Sequence, residues 1–307
     1  MILCCGEALI DCLPRKLETG AEVFQPVNGG SVYNTAIALG RLGQSVGLFA
    51  GMSTDFFGDS LREGLKASHV SSKYLRTKPL HTTLAMVKLT NGHAKYSFID
   101  DASAGRMLVK SDLPNLPSAV TALHFGSISL IPEPCGSTYE ALMKREAKSR
   151  VICIDPNIRP TLIKDKAKHI ERLNRLIAMS DIVKISDEDV KWMTGSRKLE
   201  NAARGWLNKG AKIVVITKGG DGCMVFTKRF GFEALAPVVK VADTVGAGDT
   251  FTAGFLNYLS THKLLTKKTL AAIDDDILKA AAFYAMKAAA VTVSRVGADP
   301  PWMREMI

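Results

Sequence analysis

The sequence predicts an α/β protein with a mostly parallel central sheet and a second, smaller β-sheet. Short apolar runs rich in β-branched residues recur along the 307 residues, and several are typical of strands buried on both faces. Between them lie segments with apolar residues at helical spacing, an alternation typical of βαβ units. Two further segments break this rhythm with the signals of short antiparallel strands.

The strands of the main sheet are predicted from the apolar runs at residues 2–5, 46–50, 123–126, 151–155, 182–185, 213–217 and 224–226. Helical spacing is clearest at residues 170–177 and 199–207. Because the carboxyl ends of parallel strands meet at one edge, ligands are expected there.

The smaller sheet is predicted from residues 18–28 and 81–101, which contain AEVFQPV, TTLAMVKL and AKYSFID. The last two are expected to meet at a turn formed by Asn91 and Gly92. We therefore expect one domain over residues 1–307, with the extra strands inserted at about 12–28 and 81–104.

Forty basic and thirty acidic residues give a net charge of +10, which would permit a nucleic-acid or membrane partner. The basic residues occur in scattered pairs such as Lys144-Arg145 and Lys267-Lys268, without interleaved aromatic residues. This pattern favours a solvated surface over a nucleic-acid groove.

The six cysteines form no CxxC pair, and most lie in apolar runs, which indicates reduced core thiols. The N-terminus lacks a basic leader, and no segment has the roughly 18 unbroken apolar residues of a membrane span. We expect a cytoplasmic protein that does not contact a membrane.

The stretch VADTVGAGDTFTAGFL, residues 241–256, places bare backbone at the start of a helix. A stripe of apolar residues from Phe251 to Leu259 predicts the helix, so residues 246–249 form its entrance. The first turn of a helix has unpaired N–H groups that attract anions, and glycines let a phosphate approach them. The stretch lacks the third glycine of a dinucleotide fingerprint, and GxxxxGK[ST] is absent from the chain.

Asp249 within this entrance has two interpretations. It could cap free amides of the helix. Alternatively, a hydroxyl-bearing substrate could lie between Asp249 and a phosphate, and the carboxylate would then accept the hydroxyl proton. One turn would then supply both a base and an anion hole.

Two motifs resemble one family. DTVGAGDTFTAGFL resembles the C-terminal motif of the PfkB or ribokinase-like carbohydrate kinases, and NGGSVYNTAIALGRLG, residues 28–43, is similar to the family's N-terminal sugar-binding block. The resemblance covers essentially the whole chain. It implies a ribokinase-like three-layer sandwich, an ATP-dependent sugar kinase, and a lid role for the smaller sheet, with a surface hairpin of no function as the alternative.

The resemblance implies roles for individual residues. Asp249 would be the catalytic base, Gly246, Ala247 and Gly248 the anion hole, and Arg159 a contact to the polyphosphate or the acceptor. Sugar contacts would come from Asp11, Gly29, Gly30, Asn34, Phe98, Arg106 and Asn157. Asp11 could instead be a turn residue at a strand end, and the glycines could merely cap the following helix.

Nucleotide contacts are implied for the loop containing Thr217, Lys218, Gly219, Gly220 and Gly222, for which a glycine-rich hairpin is the alternative. Ala281 and Ala285 would offer a flat face to adenine, although alanines at this spacing also indicate tight helix packing. Many relatives carry Asn-x-x-Glu where this chain has Ser186 and Asp189. Asp189, or Glu188 in its place, would then contact Mg²⁺, and Asp243 would adjoin a potassium ion.

The segments ILCCGEALIDCLP and FIDDASAGRML resemble bacterial fructokinases most, which favours fructose. Ribose and 2-keto-3-deoxygluconate are the nearest rivals. A purine-riboside kinase is disfavoured because only Tyr96 and Phe98 offer aromatic platforms in the lid. A nicotinamide-dependent oxidoreductase would need its fingerprint where the chain has CCGEALID, and a non-catalytic sugar-binding protein would not need Asp249. The expected partners are a sugar and ATP, with either a monomer or a homodimer.

Overall fold

A mostly parallel sheet of eight strands forms the centre of the computed structural model, which describes residues 1–90 and 93–306. The strands of the chain are β1 (Ile2–Cys5), β2 (Leu9–Lys16), β3 (Glu22–Gly29), β4 (Val46–Phe49), β5 (Gly51–Ser53), β6 (Arg76–Lys78), β7 (Leu84–Thr90), β8 (His93–Ile99), β9 (Ala122–Gly126), β10 (Val151–Asp155), β11 (Ile182–Ser186), β12 (Ile213–Thr217), β13 (Cys223–Phe226) and β14 (Gly231–Ala234).

The central sheet has the strand order β14-β13-β12-β11-β10-β9-β1-β4. All neighbours from β12 to β4 are parallel, whereas β13 and β14 add an antiparallel edge. Every apolar run that predicted a strand of this sheet forms one, so the predicted α/β class is confirmed. The edge strand β14 was not predicted.

Helices cover both faces of the sheet. They are α1 (Ser31–Arg41), α2 (Phe56–Ala67), α3 (Cys135–Glu146), α4 (Lys166–Ala178), α5 (Asp187–Thr194), α6 (Leu199–Asn208), α7 (Ala247–Thr261), α8 (Lys267–Ala271) and α9 (Asp275–Val293). One apolar cluster lies beneath α1, α2, α7 and α9, and a second lies beneath α3 to α6. Within the described residues, we find no helix with both the length and the hydropathy needed to cross a membrane.

The smaller sheet has the strand order β3-β2-β7-β8. The pair β7–β8 is antiparallel, as the sequence predicted. Strand β2 was not predicted; it pairs antiparallel with β3 and parallel with β7. The smaller sheet therefore begins at Leu9, earlier than the expected residue 12. The predicted turn at Asn91 and Gly92 lies outside the described residues.

Helices α7 and α9 pack closely because small residues line their contact. A Cβ added at Gly254 of α7 would lie 2.9 Å from the Cα of Ala285 on α9. Ala281 and Ala285 are both fully buried. The expected adenine contact at these alanines is therefore wrong, since helix packing occupies their entire surface.

Candidate active site

The glycine turn lies at the carboxyl edge of the central sheet, where α7 begins. The helix starts at Ala247, and Gly246 before it has φ 76°, a left-handed conformation that favours glycine. A Cβ at Gly248 would lie 3.0 Å from the Nζ atom of Lys184 on β11. Glycine at 248 therefore keeps the backbone open beside a lysine ammonium group.

The first turn of α7 has backbone donors that remain available. The amide of Ala247 donates to the carbonyl of Thr244 at 3.3 Å, and that of Thr250 donates to Gly246 at 2.8 Å. Among the described residues, the amides of Gly248 and Asp249 have no protein acceptor. These two N–H groups, at the positive end of the helix dipole, can hold an anion.

The Asp249 carboxylate is held by two side chains of α1. The Ser31 hydroxyl donates to Oδ1 at 2.6 Å, and the Asn34 amide donates to Oδ2 at 2.9 Å. Both bonds join residues more than 200 positions apart, so they depend on the packing of α1 against α7. The carboxylate is thereby fixed in orientation at the start of the anion-binding turn.

Burial raises the pKa of Asp249, and the hydrogen bonds from Ser31 and Asn34 offset only part of this effect. A carboxylate with a raised pKa is a stronger proton acceptor than an ordinary aspartate. Asp249 also has spare lone pairs, since each oxygen accepts one bond and can accept another. The residue therefore has the properties of a general base.

A chain of hydrogen bonds extends from Asp249 to Arg159, beside the smaller sheet. Asn157 donates to the Ser31 hydroxyl at 2.8 Å, and Arg159 donates to the Asn157 side-chain oxygen at 2.6 Å. The Arg159 guanidinium lies 5.9 Å from the ring centre of Tyr96 on β8. Arg159 thus joins the main domain to the smaller sheet.

Asp11 on β2 lies on the opposite side of the cleft from α7. A Cβ at Gly29 would lie 2.1 Å from Oδ2 of Asp11, so any side chain at position 29 would displace this carboxylate. Burial raises the pKa of Asp11 to about 6, although the Arg159 guanidinium opposes the rise. A carboxylate held in this way can accept hydrogen bonds from sugar hydroxyls.

Glu7 anchors the floor of the cleft. Its two carboxylate oxygens accept from the amides of Val32 and Ser129, each at 3.4 Å, and the side chain is 6% exposed. Burial raises the pKa of Glu7, and the nearby Asp249 adds to this. Three carboxyl groups, those of Glu7, Asp11 and Asp249, therefore surround one small volume.

The cleft has a volume of about 270 Å³, close to the lower end of the roughly 300–1,000 Å³ typical of small-molecule sites. The structure brings most of the predicted residues to it: Asp11, Gly30, Asn34, Phe98, Asn157, Arg159, Gly246, Gly248 and Asp249 all line this cleft. Gly29 lies behind Asp11 and packs against its carboxylate. The nine remaining lining residues were not predicted as site residues: Glu7, Leu9, Ser31, Tyr96, Ser127, Ile128, Lys184, Thr244 and Val245.

Lys184 is the most informative of the residues that were not predicted. Its Nζ donates to Oδ2 of Asp155 at 2.8 Å, and the lysine is 7% exposed. Burial opposes the charged form, but the attraction of Asp155 holds the pKa of Lys184 above its ordinary value. Replacing a buried ion pair with apolar residues is often neutral or stabilising by about 1–4 kcal/mol. Stability alone thus does not explain a buried cation beside Gly248.

Arg106 is not part of the cleft, contrary to the prediction. Its guanidinium pairs with Asp100 and Asp101, and its Nε donates to the Glu133 carbonyl at 3.2 Å. It lines a neighbouring cavity that shares Phe98 with the cleft. The ion pairs with Asp100 and Asp101 keep the Arg106 side chain in this neighbouring cavity. The segment FIDDASAGRML alone did not indicate that Arg106 pairs with these two aspartates.

The predicted nucleotide loop follows β12 at the same edge of the sheet. Thr217 is in register with Ser186 at the end of β11. Gly219 and Gly222 have φ values of 55° and 90°, and Lys218 pairs with Glu233. The loop does not line the sugar-sized cleft, and it packs against residues 234–236 instead.

An apolar surface follows this loop. Leu235 is 78% exposed and Val238 is completely exposed, and Val241 is also exposed. We call residues 235–241 the apolar segment; it connects β14 to the glycine turn. An exposed apolar patch can mark an interaction surface or a ligand-binding site.

The predicted metal residues differ in their surroundings. Oδ2 of Asp189 accepts from the Ile158 amide at 3.3 Å, and burial, with a contribution from Asp155, raises the pKa of Asp189 to about 6. Glu188, the alternative to Asp189, is exposed on α5. The Asp243 carboxylate accepts from the amides of Val245 and Gly297. Within residues 1–90 and 93–306, we find no cluster of three or more metal-binding side chains.

Comparison with known proteins agrees with this geometry. Residues 1–305 match the family described as pfkB family carbohydrate kinase. The chain is 53% identical to a fructokinase from Rhizobium leguminosarum bv. trifolii, over 91% of this chain and 86% of that protein.

Two solved structures are similar over nearly the whole chain. A fructokinase from Xylella fastidiosa with bound ATP has a TM-score of 0.91 at 26% identity, covering 99% of this chain and 96% of its own. A fructokinase from Vibrio cholerae O395 with fructose, ADP and calcium has a TM-score of 0.85 at 25% identity, covering 97% and 94%. From its sequence motifs, its fold and the match over its length, the chain belongs to the pfkB family of carbohydrate kinases.

Proposed function

We propose that this protein transfers the γ-phosphoryl group of ATP to a primary hydroxyl of fructose, giving fructose 6-phosphate and ADP. One observation carries the proposal: the buried Asp249 carboxylate and the two available amides of Gly248 and Asp249 occupy the same turn and face one cleft. Fructose is chosen because the 53% identical relative is a fructokinase.

The chemistry follows from this arrangement. Asp249 accepts the proton of the sugar hydroxyl, and the resulting oxygen attacks the γ-phosphorus. The bond to the β,γ-bridging oxygen breaks, and ADP leaves. The amides of Gly248 and Asp249, together with the Lys184 ammonium, stabilise negative charge on the transferring group.

The sugar lies between the main domain and the smaller sheet in this proposal. Asp11 accepts hydrogen bonds from the sugar hydroxyls, and Asn34 donates to them. Tyr96 and Phe98 on β8 cover the sugar. The whole chain acts as one kinase domain, and the smaller sheet is a lid that excludes water from the phosphoryl group.

ATP extends from the glycine turn toward the loop of Thr217 to Gly222, with its base on the apolar segment. Mg²⁺ suits this site because it keeps several waters and needs few carboxylates beside the substrate phosphates. Asp189 is the residue that would hold Mg²⁺, and the bound ion would neutralise charge on the phosphates. A potassium ion would adjoin Asp243, whose carboxylate orders the turn before α7.

Six buried, unpaired cysteine thiols suit a reducing compartment, so we place the reaction in the cytoplasm. The partners are the sugar and ATP, with a monomer or a homodimer as the assembly.

The test measures ADP release with ATP and Mg²⁺ across fructose, ribose, 2-keto-3-deoxygluconate and glucose, for the unmodified protein and for Asp249→Ala. We expect the fastest turnover with fructose and a loss of at least roughly a hundredfold in the variant. Turnover confined to another sugar would refute the assignment of fructose and leave the kinase activity in place. Sugar binding without ADP release from any sugar would overturn the kinase.

A further inference from the structure

Two buried residues near the cleft have polar atoms without partners. Both ring nitrogens of His124 and Oδ1 of Asp155 make no hydrogen bond. Every other buried side-chain nitrogen or oxygen among the described residues has a hydrogen-bond partner. His124 is 1% exposed and Asp155 is 2% exposed. Buried polar groups are nearly always hydrogen-bonded, so each exception requires an explanation.

The two residues are neighbours on the sheet. His124 on β9 is in register with Cys153 on the adjacent strand β10, and Asp155 follows two residues later. Residues two apart on a strand share a face, so His124 and Asp155 lie diagonally across the strand pair. The unpartnered atoms therefore belong to one place, beneath the floor of the active site.

A metal ion does not account for these atoms. Cys4 and Cys153 flank His124 in register, but the described residues contain no group with the geometry of a metal site. Burial raises the pKa of both thiols, so they stay protonated and bind metals poorly. Burial also lowers the pKa of His124 to about 4, so its ring is neutral and has one donor and one acceptor.

Asp155 connects this pair to the chemistry. Its second oxygen, Oδ2, accepts from Lys184 at 2.8 Å, and Lys184 lies directly beneath Gly248 of the glycine turn. A carboxylate held at one oxygen only can rotate about its bond to Cβ. A second anchor at Oδ1 would fix both the carboxylate and the ammonium group that it holds.

We propose that His124 is a positioning residue: one ordered water joins a ring nitrogen of His124 to Oδ1 of Asp155, and this bridge fixes the Lys184 ammonium group under the transferring phosphoryl group. A neutral imidazole and a carboxylate oxygen supply the polar partners that a buried water needs. The inference rests on the proposed function, because Lys184 acts there on the phosphoryl group. It adds a residue that touches neither substrate.

The experiment compares His124→Leu, which removes both nitrogens, with His124→Asn and His124→Gln, each of which keeps an amide donor and acceptor. Cys4→Val is the matched control, because Cys4 lies beside His124 in register and is equally buried. We expect His124→Leu to lower kcat between about tenfold and a hundredfold, since small displacements of a positioned group have effects of this size. The KM for fructose should stay within about twofold because the sugar contacts lie elsewhere.

Rescue separates positioning from packing. At least one amide variant should recover most of kcat, and Cys4→Val should keep it. Normal kcat in His124→Leu, or an equal loss in all four variants, would overturn the inference.

Two measurements do not depend on sugar turnover. A crystal structure of the unmodified protein at high resolution should show a water within hydrogen-bond distance of both His124 and Asp155, and density without a water there would overturn the inference. The Kd of a non-hydrolysable ATP analogue should rise severalfold in His124→Leu. Should that variant fail to fold, the amide variants and the crystal structure decide the question. A protein that phosphorylates no sugar would refute the proposed function, while the water and the analogue Kd would still test the role of His124.

Discussion

The two halves of the carboxyl edge differ in how far their side chains are held in place before any substrate binds. On the sugar half, Asp249, Ser31, Asn157 and Arg159 form a continuous hydrogen-bonded chain. On the proposed nucleotide half, Gly222 of the loop after β12 packs against residues 234–236, and Val238 of the apolar segment is completely exposed.

This difference has a chemical reason. A base and an anion hole act only when they are oriented in advance, because reorganisation during the reaction raises the barrier. A flat base gains affinity from apolar contact, which requires much less precise geometry. We therefore expect changes on the sugar half to lower kcat and changes on the nucleotide half to raise a KM.

The largest effect is expected from Asp249→Asn. Asparagine keeps the size and accepts a hydrogen bond, but it cannot take the hydroxyl proton. We expect kcat to fall by about 10²- to 10⁴-fold, the usual contribution of a general base. ADP release with fructose measures this, and Asp275→Asn on the surface of α9 is the control. A rate near that of the unmodified protein would show that Asp249 is only a cap.

Gly248→Ala tests the anion hole by steric means. The added Cβ would lie 3.0 Å from Nζ of Lys184, beside the proposed position of the phosphoryl group. We expect a loss of kcat of about a hundredfold, comparable to removal of one oxyanion donor. Gly205→Ala on α6 is the control, because its added Cβ meets no atom within 4 Å. Equal rates for the two variants would contradict the anion hole.

Asp11 makes the sugar half sensitive to pH. Burial raises its pKa to about 6, so it is protonated below this pH and ionised above it. Because the ionised form accepts sugar hydroxyls, kcat/KM for fructose should rise with pH through about 6. Asp11→Asn should remove this rise and lower kcat/KM at pH 8 about tenfold, as expected for a lost hydrogen bond to a charged group. Asp275→Asn on the surface of α9 is the control that must keep the rise caused by Asp11.

The raised pKa of Asp11 affects stability in the opposite direction: stability falls with rising pH, whereas kcat/KM rises. A carboxyl whose folded pKa exceeds its unfolded value contributes stability at low pH, which is lost as the pH rises from about 4 to 6. Asp11→Asn should therefore raise Tm more at pH 8 than at pH 4, as measured by thermal unfolding. An equal change at both pH values would contradict the assigned pKa.

Tyr96 joins the smaller sheet to Arg159 through the face of its ring. Tyr96→Ala should raise the KM for fructose about five- to tenfold, within the range of a partly desolvated cation–π contact. Tyr96→Phe keeps the ring and should change the KM less than twofold. If both variants raise the KM equally, the hydroxyl rather than the ring carries the effect.

The smallest effect is expected on the nucleotide half. Leu235→Ser and Val238→Ser remove apolar surface from the apolar segment, and each should raise the KM for ATP roughly two- to fivefold at constant kcat, in proportion to the area lost. The surface change Leu17→Ser, directly after β2, is the control. A fall in kcat without a change in KM would contradict the division between the two halves.

The sequence predicted the elements better than the contacts between them. Apolar runs marked the buried strands because those strands meet apolar neighbours on both faces. The short edge strand β14 was missed since half of its residues are exposed, and β2 was missed since Pro14 and Arg15 interrupt its pattern.

Within the candidate site, Asp249 and the glycine turn could be proposed from the sequence because their motif consists of adjacent residues. Ser31 and Asp249 are 218 positions apart, and Lys184 and Asp155 are 29 positions apart, so only the fold pairs them. A lysine inside the apolar run IVKIS was the available signal for Lys184. Ala281 and Ala285 were misassigned because spacing alone does not distinguish a helix contact from a ligand contact.

The close approach of Gly254 to Ala285 limits how this protein can vary over evolution. Any side chain at position 254 would separate the two helices and displace the start of α7, two turns away. Such a substitution would resemble a loss of catalysis in a genetic screen although it touches no substrate. Selection on phosphate transfer therefore extends into the interior, to a position whose sole requirement is to have no side chain.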